Sequence, residues 1–196
     1  FAFPYRYGNT YLIQIFCVLD AEYVYSIIIV PLTVNRIGGI VMSNTLVAFF
    51  SATGTTAKLA NGLSKEIGAD LYEIKPAKPY TTSDLNWVNP LSRTMREYIG
   101  KSTVEIAGKK NNMADYDTII LGFPIWFFKE PNIIRTFLKQ YNFDGKTMSF
   151  FVTSHKVGTE KSEASLKKLC PNAHWQQGML ANGKNVDDLK SWASTF

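Results

Sequence analysis

The chain has 196 residues, 46% of them hydrophobic and 19% charged, with a formal net charge of +5. That is enough chain for one domain with a real core, in a composition ordinary for a globular protein. Its two cysteines, Cys17 and Cys170, lie far apart without CxxC spacing, which argues against a disulfide framework or a zinc site and fits a reducing cytoplasm.

Residues 1–41 carry Arg6 and Arg36 against Asp20 and Glu22. Taking these from the totals of 21 basic and 16 acidic side chains leaves 19 and 14, so the whole +5 belongs to 42–196. The lysines are scattered, with only the pairs Lys109-Lys110 and Lys167-Lys168. A nucleic-acid stripe would be denser and interleaved with aromatics, so these lysines read as solvated surface that mildly favours anionic partners.

The first 41 residues are aromatic and β-branched, with no sustained helical or strand period. Asp20 and Glu22 interrupt the apolar stretches, so no run approaches the ~18–20 residues of a membrane helix. A basic segment followed by a small-residue cleavage site is also missing. Met42-Ser43-Asn44, followed at once by a strand, looks like a natural start. Residues 1–41 are therefore expected to be an N-terminal extension, read through from upstream, that lies outside the functional domain at 42–196; a genuine extension or strand-adding segment is the alternative.

From Met42 onward strands and helices alternate. Leu46–Phe50 is a continuous apolar run, as in a parallel strand covered on both faces. A helix opens at Thr55-Thr56 and is expected to bury Leu59, Leu63 and Ile67. Asp70–Ile74 alternates like an edge strand, and a Pro-containing stretch leads to a helix around Leu91–Tyr98. Thr118–Leu121 is the third strand. Pro131 then starts a helix with Ile133, Ile134 and Phe137 inward. Met148–Val152 is the fourth strand, followed by a helix near Ser162–Leu169. Trp175–Leu180 forms a mixed fifth strand, and Asn185 with Asp188 predicts a capping box for a last helix that turns Leu189 and Trp192 inward. Strands one, three and four are apolar and central; two and five are edges. The expected fold is a three-layer α/β/α with a five-stranded parallel sheet in the order 2-1-3-4-5 and a ligand site at the carboxyl ends of its central strands.

Three loops fall at those ends. The first, Ser51-Ala52-Thr53-Gly54-Thr55-Thr56, places four hydroxyls around a glycine at a helix start. Such a loop holds a phosphate dianion with neutral donors and the helix dipole; a hydroxyl-rich helix cap is the plain alternative. The second, Gly122–Phe128, holds Pro124, Ile125, Trp126, Phe127 and Phe128, an aromatic density that suits packing on something flat; the alternative is that these rings cap the core. The third is Thr153-Ser154-His155-Lys156-Val157-Gly158. His155 is a proton-donor candidate or an incidental surface histidine, and His174 lacks any partner pattern.

The first loop resembles the flavodoxin phosphate loop, (S/T)-x-T-G-x-T, in Ser51, Thr53, Gly54 and Thr56. The resemblance runs through 42–196, including Asn86-Trp87, Asn89-Pro90-Leu91-Ser92-Arg93 and Glu97, and is closest to a bacterial group with Pro-Ile-Trp after strand three. It implies flavin mononucleotide (FMN) as cofactor, with the second loop against the flavin ring, Trp126 stacking, and Thr153, Ser154, His155 and Gly158 near the polar edge. The group commonly has Trp-Trp-Gly where this chain has Trp126-Phe127-Phe128, and small residues where it has His155 and Lys156.

Other users of this architecture fit less well. A receiver domain needs an aspartate where Gly122 and Phe123 stand; a low-mass tyrosine phosphatase needs Cys-x5-Arg in the first loop. GxxxxGK[ST] and GxGxxG are both absent. The resemblance leaves an electron carrier working between a reductase and an acceptor protein, against an FMN-dependent NAD(P)H:quinone-type oxidoreductase; a flavin-free interaction domain is a third reading. Carriers of this type are commonly acidic, which counts against the first, and no nicotinamide-binding motif supports the second. Neither a nucleic acid nor a membrane is expected as a partner, and a carrier this basic would meet acidic partner surfaces.

Overall fold

The computed structural model describes residues 4–7, 10–13, 44–100, 103–154 and 158–196, with side chains described from residue 44 onward. The chain divides into two compact units, Phe1–Val41 and Met42–Phe196. In the first, β1 (Pro4–Tyr7) pairs antiparallel with β2 (Thr10–Ile13) in a register that sets Tyr7 against Thr10. Four-residue strands are too short to carry a visible period, which is why this hairpin does not emerge from the apolar pattern.

The second unit is a parallel sheet between helices. Its strands are β3 (Thr45–Phe49), β4 (Asp70–Glu73), β5 (Thr118–Pro124), β6 (Thr147–Thr153) and two short pieces, β7 (His174–Trp175) and β8 (Met179–Leu180). The spatial order is β4-β3-β5-β6, with β7 and β8 sharing the outer side of β6. This is the order 2-1-3-4-5, with all pairings parallel. The helices are α1 (Thr55–Ile67), α2 (Arg93–Gly100), α3 (Asn132–Lys139), α4 (Glu160–Leu169) and α5 (Val186–Ala193).

Strand alternation builds two cores. Leu46, Ala48 and Phe50 point to one face with Ile119, Leu121, Phe123, Phe150 and Val152, where Ile133, Ile134 and Phe137 of α3 and Leu166 of α4 close over them. Val47, Phe49, Ile120 and Phe151 point to the other face, covered by α1 and α5 through Ala60, Leu63, Leu189 and Ala193. Because β3, β5 and β6 are buried on both faces, they read as unbroken apolar runs.

Two local expectations are corrected. Helix α1 buries Thr56, Ala60, Leu63 and Ser64, while Leu59 and Ile67 are only partly buried, because the helix sits on the sheet through its small residues. The fifth strand is not continuous either. Two residues lie between Met148 and Phe151 on β6, but three lie between their partners Trp175 and Met179, so the edge carries a one-residue bulge. The Ser149 hydroxyl and the Trp192 indole N–H both donate to the Gln177 carbonyl that the bulge frees. Gly178 is required there, since a Cβ would stand 2.2 Å from the Phe150 ring. The predicted Asn185–Asp188 capping box is present at α5, and Pro131 stands at the N-cap of α3.

Candidate functional site

The loops after β3, β5 and β6 meet at one end of the sheet, each bent by an identifiable device. In the first, Gly54 adopts φ +88° at the N-cap of α1, a conformation that glycine takes without penalty. A Cβ there would meet nothing, so it is the dihedral and not space that calls for glycine. The Gly54 amide donates to the Ser51 hydroxyl at 3.1 Å, folding the loop back on itself. No side chain caps α1, so its first-turn amides open toward the loop.

The loop hydroxyls divide into two roles. Thr53, Gly54 and Thr55 are exposed. Thr56 is 1% exposed, and its hydroxyl lies 2.9 Å from that of Thr153 at the end of β6. Ser51 and Thr56 thus brace the loop, while Thr53 and Thr55 face outward.

In the second loop, Trp126 and Lys129 exchange backbone hydrogen bonds, with the Trp126 amide donating at 3.0 Å and the Lys129 amide at 3.2 Å. The two residues between them both have positive φ, +48° at Phe127 and +80° at Phe128. Positive φ at both central residues is the pattern of a type I′ turn, normally made from Asn and Gly. Phe127 stacks on Tyr98 with centroids 4.9 Å apart. Phe128 is 53% exposed, and the Lys161 ammonium sits 4.8 Å from its ring centre. Pro124 and Ile125 are partly buried, and the Ile125 amide donates to the Thr153 carbonyl, joining the second loop to the third.

The Trp126 indole lies partly buried on the core. It meets Phe50 edge-on at 5.4 Å and Tyr80 edge-on at 5.2 Å. Tyr80 is held from its other sides. Its hydroxyl donates to Glu97 Oε2 at 2.8 Å, and the Arg93 guanidinium lies 4.0 Å over its ring. Burial first, and then the hydrogen bond to Glu97, raise the Tyr80 phenol above its usual range, so it remains a donor.

In the third loop the Ser154 amide donates to Asn182 Oδ1 at 2.8 Å. Gly158 lies against the Glu160 carboxylate, which would have to swing aside for a Cβ. His155, with Lys156 and Val157, falls outside the described residues. A shallow depression with room for about one water lies beside the second loop, lined by Thr94, Glu97, Tyr98, Trp126, Phe127 and Glu130 among others. No described residue of the first or third loop lines it.

The structure therefore brings together Ser51–Thr56, Pro124–Phe128, Thr153 and Ser154. Sequence reasoning did not single out Tyr80 or Asn182. Tyr80 gives no signal, because it reaches the site across the sheet. Asn182 had one, its place just beyond the fifth strand and before Gly183. Among the described residues no cluster of His, Cys, Asp and Glu could hold a metal, and no helix is long and apolar enough to cross a membrane.

The sequence pattern of the Flavodoxin family matches residues 44–196. A protein from Bacteroides eggerthii, provisionally named a flavoprotein, is 41% identical over 77% of this chain and 96% of its own, with a TM-score of 0.73. Another from Bacteroides uniformis, named in the same way, is 40% identical over 78% of this chain and 98% of its own, with a TM-score of 0.74. A Lactobacillus acidophilus flavoprotein solved in complex with FMN is 22% identical over 76% of this chain and 97% of its own, with a TM-score of 0.61, and shares the fold. None of the curated proteins matches the chain. The match over 44–196, on a sheet ordered 2-1-3-4-5 with its loops gathered at one end, places the chain in the flavodoxin family.

Proposed function

We propose that residues 42–196 bind FMN at the carboxyl ends of β3, β5 and β6 and use it to carry electrons between a reductase and an acceptor protein. The observation that carries this reading is the start of α1. An uncapped helix N-terminus behind a left-handed Gly54, with the exposed Thr53 and Thr55 beside it, suits a phosphate dianion held by neutral donors. Trp126 and the Phe127-Phe128 turn would flank the flavin ring. Thr153, Ser154 and Gly158 would lie along its polar edge, and Pro124 and Ile125 would shape the wall between. When bound, FMN supplies transfer of one or two electrons. The chain's part is to hold the phosphate, fix the ring and limit water around it.

The carrier's partners would present acidic surfaces, because Lys129 and Lys161 flank the exposed Phe128 and the 42–196 region carries +5. The buried, unpaired Cys170 fits a cytoplasmic setting. The full chain, purified, should be yellow or become so with FMN, and should bind FMN far more tightly than riboflavin. Equal affinity for the two flavins overturns the phosphate site. Bleaching by NADPH alone, without air, reassigns the protein as an NAD(P)H-dependent oxidoreductase; bleaching only with an added flavodoxin reductase supports the carrier.

A further inference from the structure

An ion pair with a buried carboxylate stands next to the second loop. Glu97 is 7% exposed and Arg93 is its i,i+4 neighbour on α2, with Arg93 Nε donating to Glu97 Oε1 at 2.7 Å. A pair with one member this far from water contributes little net stability compared with apolar residues of similar size, so what it holds in place matters more than the pairing itself. The pair makes further directed contacts on both sides. Arg93 also donates to the Lys78 carbonyl at 2.7 Å, and its planar face covers Tyr80. Glu97 Oε2 accepts from the Tyr80 hydroxyl, and the Asn132 side-chain amide donates to the Glu97 carbonyl at 2.7 Å. Tyr80 is thereby fixed at both its hydroxyl and its ring face, and the rings it touches in turn are Phe50 and Trp126.

We propose that Arg93 and Glu97 are positioning residues that act through Tyr80 to hold the Trp126 indole at the angle needed against the flavin. The assignment rests on the proposed FMN site for its function, but the clamp itself is a property of the chain without cofactor. Neither Arg93 nor Glu97 lies in the loops that would touch FMN. Their effect travels by one hydrogen bond, one stacked guanidinium and one edge-on ring contact. Lysine cannot substitute for Arg93, since it lacks the flat fork that covers Tyr80 while bonding Glu97 sideways.

The test uses the full chain with Tyr80→Phe, which keeps the ring and deletes the bond to Glu97, and with Arg93→Lys. In the flavin-free protein, NMR should show the Trp126 indole N–H shifted or broadened in both variants. The indole signals of Trp175 and Trp192, anchored on the Cys170 and Gln177 carbonyls, should stay in place. An unmoved Trp126 signal, or equal shifts in all three, overturns the clamp whatever the cofactor does. With FMN, Tyr80→Phe should weaken binding about tenfold in the parent and not at all in a Trp126→Ala background, a non-additive cycle. Additive losses would mean that Tyr80 acts by general stability, and would also overturn the proposal. If Trp126→Ala alone leaves FMN affinity unchanged while the NMR result holds, it is the flavin contact of Trp126 that fails, and the clamp stands.

Discussion

The hydroxyls of Thr56 and Thr153 lie 2.9 Å apart, although 97 residues separate them in the chain. One opens α1 and the other ends β6, while β5 runs between β3 and β6 in the sheet. The pair therefore spans the end of the central strand and fixes the first loop to the third. A phosphate site made only of neutral donors depends on such bracing, since each donor must already point the right way.

That bracing separates two mutants that composition alone would equate. Thr53 is exposed, so Thr53→Ala should leave the urea midpoint unchanged and weaken FMN binding about tenfold, the worth of one charge-assisted bond. Thr56→Val should weaken FMN similarly and also cost about 1 kcal/mol of stability, because the Thr153 hydroxyl loses its partner. Riboflavin affinity should not move in Thr53→Ala. A Thr53→Ala protein that binds FMN like the parent removes the exposed hydroxyl from the site.

Much of this was legible in the sequence, for a physical reason. Strands buried on both faces must be apolar throughout, so β3, β5 and β6 and hence the sheet order announce themselves. The bend of the first loop is legible because a left-handed N-cap at a helix start calls for a local residue type, here Gly54. The bulge between Trp175 and Met179 was not, since it depends on Gly178 lying under Phe150. The Tyr80 clamp was not, because it joins groups 17 and 46 residues apart. The positive φ at Phe128 was signalled only by the resemblance, which sets Phe128 where the group commonly has glycine; that at Phe127 was hidden, because no propensity places a phenylalanine there.

Trp126 contributes to the core as well as to the proposed site. Trp126→Ala should cost about 2–3 kcal/mol of stability through its lost contacts with Phe50 and Tyr80, toward the lower end for large-to-small changes because the indole is only partly buried. Flavin retained by the variant should also be more fluorescent, since an indole beside the ring would quench it. Lost stability with unchanged flavin emission would make Trp126 a core residue only.

Glu130, just after the second loop, has a fully buried side chain whose Oε1 accepts from Arg135 at 3.0 Å and from Ser165 at 2.6 Å. Its Oε2 has no hydrogen-bond partner among the described residues. Arg135→Leu should strand this carboxylate and cost about 2 kcal/mol, below the 3–5 of a fully buried pair, because the Arg135 side chain is 35% exposed. Adding Glu130→Gln should recover most of that loss. Denaturant midpoints for the two single variants and the double variant decide it, and an additive double variant counts against the pairing.

The last expectation concerns the cost of the turn at Phe128, where φ is +80°. An L-residue with a Cβ pays about 1–2 kcal/mol in the left-handed region, and glycine does not. Replacing Phe128 by glycine alone would confuse this relief with the lost ring and its Lys161 contact. Comparing Phe128→Gly with Phe128→Ala removes that confusion, since both lose the ring and only alanine keeps the Cβ. At an ordinary position alanine is the more stable of the two by about 0.5–1 kcal/mol, because glycine has more freedom to lose on folding. Here the order should reverse, with Phe128→Gly more stable by about 0.5–1 kcal/mol once the relief of strain is set against that entropy. Urea unfolding of the two flavin-free proteins measures the difference directly. A glycine variant less stable than the alanine variant would mean that the turn carries no strain at Phe128 and that its positive φ is relaxed in solution.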